Sequence, residues 1–226
     1  MLVYDHVAEV LLPSRCAGCG IASVSGFCGG CRADLARIRR PCQHCGLPLP
    51  AALCPRQTAS WALDTVVAPL QYAEPLSEYV QALKFAGRRH LGRALGELLV
   101  AAVRASPAAG DVDAIVPVPL HRRRFIARGY NQAVEIAHPV AAALSIRLLI
   151  AGIRRKRATT AQAQLAATAR RANLRRAFAV TRNLEGLHIA IVDDVITTGA
   201  TVNALARELS LAGARSVQAW AIARSL

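Results

Sequence analysis

The chain has 226 residues, 54% of them hydrophobic and only 4% aromatic, with a formal net charge of +14. That hydrophobic content excludes a disordered chain, and no run of about 18 apolar residues is present to form a membrane span. The opening MLVYDHVAEVLLP contains Asp5 and Glu9 and lacks a basic leader, so a signal peptide is not expected and a cytoplasmic protein is.

The basic charge is almost all arginine, Lys84 and Lys156 being the only lysines. No acid falls between Glu135 and Glu185, whereas Arg147, Arg154, Arg155, Lys156, Arg157, Arg170, Arg171, Arg175, Arg176 and Arg182 all do. A field of that sign attracts phosphates, on a nucleic acid or on a small anion. Solvated helix faces explain the total charge equally well, and the acid-free block less readily.

Residues 1–60 are expected to form a zinc-ribbon module. All seven cysteines lie there, in two units offset by 26 residues: CAGCG at 16–20 with CGGC at 28–31, and CQHCG at 42–46 with CPRQ at 54–57. A C-x-x-C turn points two thiolates at one tetrahedral ion, and the glycine after it lets the knuckle close. Cys16, Cys19, Cys28 and Cys31 therefore predict a closed structural zinc site. In the second unit Gln57 stands where a fourth thiolate belongs. Cys42, Cys45 and Cys54 either hold a second zinc with an outside ligand, His44 being close in sequence, or survive as small hydrophobes. The missing thiolate favours loss. Disulfides are disfavoured by the paired spacing and the lack of a secretion signal.

Residues 61–226 alternate strands and helices. TVVAPLQY (65–72) reads as a strand, followed by helices through LSEYVQALKFAG and HLGRALGELLVAAVRA. DAIVPVPL (113–120) is a buried strand ending in a proline-bent loop. NQAVEIAHPVAAAL is helical with a kink or break expected near Pro139. RLLIAGI and AFAVT are short strands flanking a basic stretch. HIAIVDDV is a strand, ATVNALARELSLAGA a helix and SVQAWAIAR a last strand. Apolar strands bounded by helices imply an α/β fold, a parallel sheet covered on both faces. Ligands bind such sheets beyond the carboxyl ends of the strands.

IAIVDDVITTGAT (189–201) carries the chemistry. Asp193 and Asp194 are expected where the strand leaves the core, both solvated, since side by side within it they must be neutralised or paired. As acceptors they suit vicinal hydroxyls. TTGAT then turns into a helix whose first N–H groups, with Gly199 and the threonine hydroxyls, make a phosphate cradle. Two diol acceptors beside one cradle describe a ribose 5-phosphate site. Receiver domains also use an acid pair at a strand end, but near the start of the domain and without this cradle.

The same stretch resembles the phosphoribosyl-pyrophosphate motif of type I phosphoribosyltransferases. With IVPVPLHRRRFIARGYNQA (115–133), RRKRATTAQAQLAATARRANLRRAF (154–178), LKFAGRRHLGRALGELL (83–99) and the cysteine units, the chain resembles the ComF family of competence-associated, phosphoribosyltransferase-like proteins. The resemblance implies a type I phosphoribosyltransferase core behind an N-terminal zinc ribbon, and in some members the handling of incoming single-stranded DNA alongside the competence machinery. It assigns Asp193 and Asp194 to the ribose hydroxyls of the diphosphate donor, and Thr197, Thr198, Gly199, Ala200 and Thr201 to its 5-phosphate. Val118, Pro119, Leu120, His121 and Arg122 correspond to the pyrophosphate loop, where a Mg2+ ion helps hold the leaving group. Arg154, Arg155, Gln162, Arg170, Arg171 and Asn173 are lid candidates. Arg128, Asn131 and Gln132 are candidates to brace the pyrophosphate loop. Gln57 departs from the pattern, as does Ala169, where an acid is expected.

Blander roles stand beside the secondary ones: Arg128–Gly129 and Asn131 as helix punctuation, His121 as a surface loop residue, Lys84 as a solvated helix lysine. Two functions compete. One is a Mg2+-dependent transferase moving phosphoribosyl from the donor to an acceptor that the sequence does not name. The other is a non-catalytic single-stranded-DNA binder that keeps the pocket as a sensor or groove.

Overall fold

The structure, a computed structural model, describes residues 15–50, 54, 61–156 and 177–226. The two cysteine units share one backbone pattern at their 26-residue offset. Cys16 N–H donates to Ile21 O (2.8 Å) and Gly20 N–H to Cys16 O (2.9 Å); Cys42 N–H donates to Leu47 O (2.7 Å) and Gly46 N–H to Cys42 O (2.8 Å). Gly20 and Gly46 both take positive φ, 78° and 72°, which closes each knuckle. Helix α1 (Gly29–Ala33) follows the first unit.

The remaining elements build the expected sheet. Strands β1 (Thr65–Val67), β2 (Leu70–Gln71), β3 (Ala114–Pro117), β4 (Arg147–Leu148), β7 (His188–Ile196) and β8 (Ser216–Arg224) pair in the order β1-β8-β7-β3-β4, with β2 also on β8. Every pairing in it is parallel. Strands β5 (Ile153–Arg155) and β6 (Phe178–Val180) form a separate antiparallel pair. Helices α2 (Leu76–Phe85), α3 (His90–Arg104) and α5 (Gln132–Leu144) share one core with Ile115, Ala190, Val192 and Trp220. Helix α6 (Ala200–Leu211) covers the other face with Val116, Ile189, Ile191 and Ala219. Successive strand residues thus serve opposite cores, as the period of two requires.

Three details differ from expectation. The strand expected over 65–72 is two pieces, interrupted at Ala68 and Pro69, a proline that has no N–H for a ladder. RLLIAGI gives only Arg147–Leu148 to the sheet; after Leu149, Gly152 takes φ 84° and turns the chain away into β5. Helix α5 runs unbroken through Pro139. The proline ring lies against α3 at Gly96, where a Cβ would stand 2.5 Å from Pro139 Cγ, and at Gly92 a Cβ would meet Glu135 at the same distance. Paired glycines thus let the two helices approach closely and hold the proline-bearing one by packing.

The first cysteine unit packs into the core of the α/β domain rather than beside it. Cys16, Phe27 and Leu35 are buried in the same cluster as α2 and α3. Phe27 and Tyr79 stack with centroids 5.1 Å apart, and Glu97 accepts the Gly26 N–H at 2.7 Å. Gly26 sits against Ala94 too closely for any side chain. Among the described residues, no helix is long and apolar enough to cross a membrane.

Candidate functional site

Strand β7 does not release its acids to solvent. It runs to Ile196, two residues past them, and Asp194 is only 3% exposed while Asp193 is half-buried. The expectation of two solvated carboxylates is corrected, and the alternative it was set against holds: acids adjacent within a core strand are paired or neutralised. Lys84 Nζ, from the last turn of α2, stands 2.7 Å from Asp194 Oδ2. Asp194 Oδ1 accepts the Val195 N–H at 2.7 Å, and Asp193 Oδ1 accepts the Asp194 N–H at 2.9 Å. Burial and the neighbouring Asp194 charge push the Asp193 carboxyl up to about 8, against the pull of Lys84. Lys84 is therefore a bridge, not a solvated helix lysine.

Beyond β7 the chain turns through exposed Thr197 and Thr198 to Gly199, which is buried with φ 78° and caps α6. A glycine N-cap brings no side chain to the first-turn N–H groups, and the Thr198 hydroxyl accepts from Ala200 N–H at 3.3 Å. Ala200 and Thr201 open the helix, half-buried. The turn presents backbone donors and hydroxyls beside two acids, the arrangement a sugar phosphate needs.

The strand β3 edge lies alongside. Val118 N–H donates to Val192 O at 2.9 Å, so the 118–122 loop starts one strand away from the acids. Pro119 and Leu120 are half-buried. His121 Nδ1 accepts from Arg123 N–H at 3.3 Å and caps helix α4 (Arg122–Arg128), which the exposed Arg122 opens. Asn131 braces this loop from behind, its Nδ2 donating to Val118 O at 3.0 Å while its Oδ1 accepts from Ala133 N–H at 3.0 Å. Arg128 donates to Gln132 Oε1 and lies over the Phe85 ring, 5.2 Å from its centroid. Burial lowers its pKa, and the Asp194 charge acts the other way.

Of the lid candidates, Arg155 reaches this neighbourhood. It lies over Phe178 at 5.4 Å, and burial and Arg124 lower its pKa while Asp193 raises it. Arg154, the preceding residue of β5, is exposed. Gln162, Arg170, Arg171 and Asn173 lie outside the described residues, as do Gln57 and Ala169.

The cysteines converge in two groups. The sulfurs of Cys16, Cys19, Cys28 and Cys31 lie within 4.8 Å of one another, and so do those of Cys42, Cys45 and Cys54. Cys19 and Cys28 are 3.7 Å apart and Cys42 and Cys54 3.8 Å. A tetrahedron of thiolates at the usual zinc–sulfur length has edges of about 3.8 Å. Both groups fit zinc, and three thiols so gathered are more than a set of small hydrophobes requires. In the first group, burial raises Cys16 but N–H bonds from Cys28, Cys19 and Gly18 outweigh it, bringing the thiol down to about 6. Its neighbour Cys31 is pushed up to about 12, chiefly by its hydrogen bonds with Cys16 and Cys19. One thiolate thus suppresses the next until a cation compensates them.

Residues 130–225 match the phosphoribosyl transferase domain family and residues 7–59 the double zinc ribbon domain family. Over 209 residues the chain is 36% identical to the DNA utilization protein YhgH of Escherichia coli O6:H1, covering 89% of this chain and 91% of that one. It is 36% identical over 222 residues to Competence protein F of Haemophilus influenzae, covering 93% and 96%. The chain belongs to the ComF family. Among solved structures it is similar to the glutamine phosphoribosylpyrophosphate amidotransferase of B. subtilis, at 24% identity and a TM-score of 0.38, covering 57% of this chain and 25% of that one.

Sequence reasoning missed two residues of this ComF-family site. Trp61 lies against Gly199, where a Cβ would meet the indole at 2.7 Å. Arg224, 3% exposed, donates to Ile196 O from the end of β8. A tryptophan following the cysteine units was a usable signal; nothing in SVQAWAIAR marks its arginine as buried.

Proposed function

We propose that the chain binds phosphoribosyl pyrophosphate with Mg2+ at the carboxyl edge of β3 and β7 and transfers its phosphoribosyl group to an acceptor. The observation that carries this is the continuity of the Asp193–Asp194 pair with the glycine-turned start of α6, one strand from the braced 118–122 loop.

In this reading the two acids accept from the ribose hydroxyls, and residues 197–201 donate to the 5-phosphate. Lys84 pairs with Asp194 at the core, so the acceptor oxygens stay in place. The 118–122 loop offers the pyrophosphate a backbone fixed by Asn131. Asp193 holds a proton below about pH 8, and on giving it up offers oxygens of the kind Mg2+ takes beside substrate phosphates; the ion, when bound, would supply Lewis-acid charge to the leaving group. Departure of pyrophosphate leaves an oxocarbenium-like centre, so the protein's work is placement and charge rather than nucleophilic attack. Arg155 and Arg128 add positive charge next to the acids. Calorimetry with the donor and Mg2+, then a pyrophosphate-release screen over bases and nucleic acids, tests the reading. Release that depends on an acceptor supports turnover.

A second reading, a non-catalytic binder of single-stranded DNA, draws on helix α4. It buries no residue and carries four arginines with exposed Phe125 and Ile126. Relatives named for DNA utilization and competence support a role for either form in DNA uptake. Donor binding without turnover, with DNA affinity falling steeply in salt, decides for this reading.

A further inference from the structure

Three consecutive carbonyls of the second cysteine knuckle accept hydrogen bonds from the α/β domain. Gln43 O accepts from Val66 N–H of β1 at 2.7 Å, His44 O from the Trp61 indole N–H at 3.0 Å, and Cys45 O from Arg224 Nε at 2.9 Å. Two of these three donors also hold the turn between β7 and α6. Trp61 presses its ring on Gly199, the positive-φ cap of α6. Its neighbour Ala62 donates to Asn203 Oδ1 at 2.7 Å, and Asn203 N–H returns to Gly199 O at 2.9 Å. Arg224 donates to Ile196 O at 2.9 Å, the last residue before the turn. The turn is therefore gripped at both ends by groups seated on the knuckle.

We infer that the Cys42–Cys45–Cys54 knuckle is a positioning element of the phosphate turn, acting through Trp61 and Arg224, so that occupancy of the thiol site and the shape of residues 196–203 are coupled. The inference rests on the reading of that turn as the 5-phosphate cradle, but only for its functional consequence. The charge argument agrees with the geometry. A divalent zinc on three thiolates leaves one net negative charge, and Arg224 is a buried guanidinium next to that backbone. Removing the ion loosens the three carbonyls, and with them the indole and the guanidinium. Coupling of this kind is reciprocal: whatever factor zinc adds to phosphate affinity, the sugar phosphate adds to zinc affinity at this site.

The experiment uses the full zinc-loaded chain and reads amide hydrogen exchange over 196–203, with β3 and the first cysteine unit as internal references. Trp61→Ala and Cys54→Ser are each expected to speed exchange in that turn about tenfold or more while the references hold, the size of a loosened local structure. Trp61→Phe, which keeps a ring on Gly199 but loses the N–H bond to His44 O, restores only part of the protection. Ribose 5-phosphate affinity, by calorimetry, falls in the same order. Exchange in the turn that is unchanged in both Trp61→Ala and Cys54→Ser overturns the inference. Faster exchange with no ribose 5-phosphate binding even by the parent chain upholds the coupling and sinks the reading of the turn as a phosphate cradle.

Discussion

Lys84 Nζ lies 2.7 Å from Asp194 Oδ2, so the last turn of α2 reaches across to balance an acid that β7 has carried into the core. The lysine end is partly exposed, at 21%, and the aspartate end is not, at 5%. Removing the lysine strands a charge; removing the aspartate frees a cation that can reach water.

The two single substitutions are therefore unequal. Lys84→Met is expected to lower unfolding free energy by roughly 3 kcal/mol, the cost of breaking a buried pair from one side. Asp194→Asn costs less, and the double variant recovers part of the Lys84→Met loss. Urea midpoints of the four proteins give the coupling directly.

The Asp193 carboxyl, raised from 3.8 to about 8 by burial and by Asp194, sets a pH dependence. The folded chain holds a proton there that the unfolded chain releases above pH 4. Its contribution is complete below about pH 4, declines as pH rises towards 8, and is flat beyond. Asp193→Asn removes this slope. Thermal midpoints of both proteins between pH 5 and 9 test it, the expected result being a falling curve for the parent and a flatter one for the variant.

Much of this was legible beforehand because the signals were local. The 26-residue repeat of CxxCG and the run IAIVDDVITTGAT each place their chemistry through a few neighbouring residues. Strand β8 was bounded to the residue, since its apolar run reads as a strand buried on both faces, as Val217 to Arg224 are. Solvation of the acids was misjudged because it depends on Lys84, over a hundred positions away, and on how far β7 continues. The roles of Trp61 and Arg224 are likewise set by contacts between distant segments, which no spacing rule encodes.

Zinc in the first cysteine group is expected to stabilise the whole chain, because Cys16, Phe27 and Leu35 share the core of α2 and α3. Cys31→Ser, or exhaustive chelation, lowers the thermal midpoint by many degrees rather than releasing an independent module. Binding of the ion also releases protons, Cys31 being held near 12 without it. Native mass spectrometry for zinc count, with calorimetric melting, reads both effects.

Packing of α3 on α5 offers a control far from the chemistry. Gly96→Ala puts a methyl 2.5 Å from Pro139 Cγ and 2.9 Å from Ile136 O. Overpacking of this kind costs about 1–3 kcal/mol. The urea midpoint is expected to fall by that amount while ligand affinity at the β7 turn is unchanged.

The most direct test of the account is titration calorimetry of phosphoribosyl pyrophosphate with Mg2+ into the parent chain and into Asp193→Asn/Asp194→Asn. The account predicts saturable binding to one site in the parent and a loss of at least about a hundredfold in the variant, as for two acceptors of the ribose hydroxyls removed together. Equal affinity in the two proteins, or no binding to the parent, contradicts it.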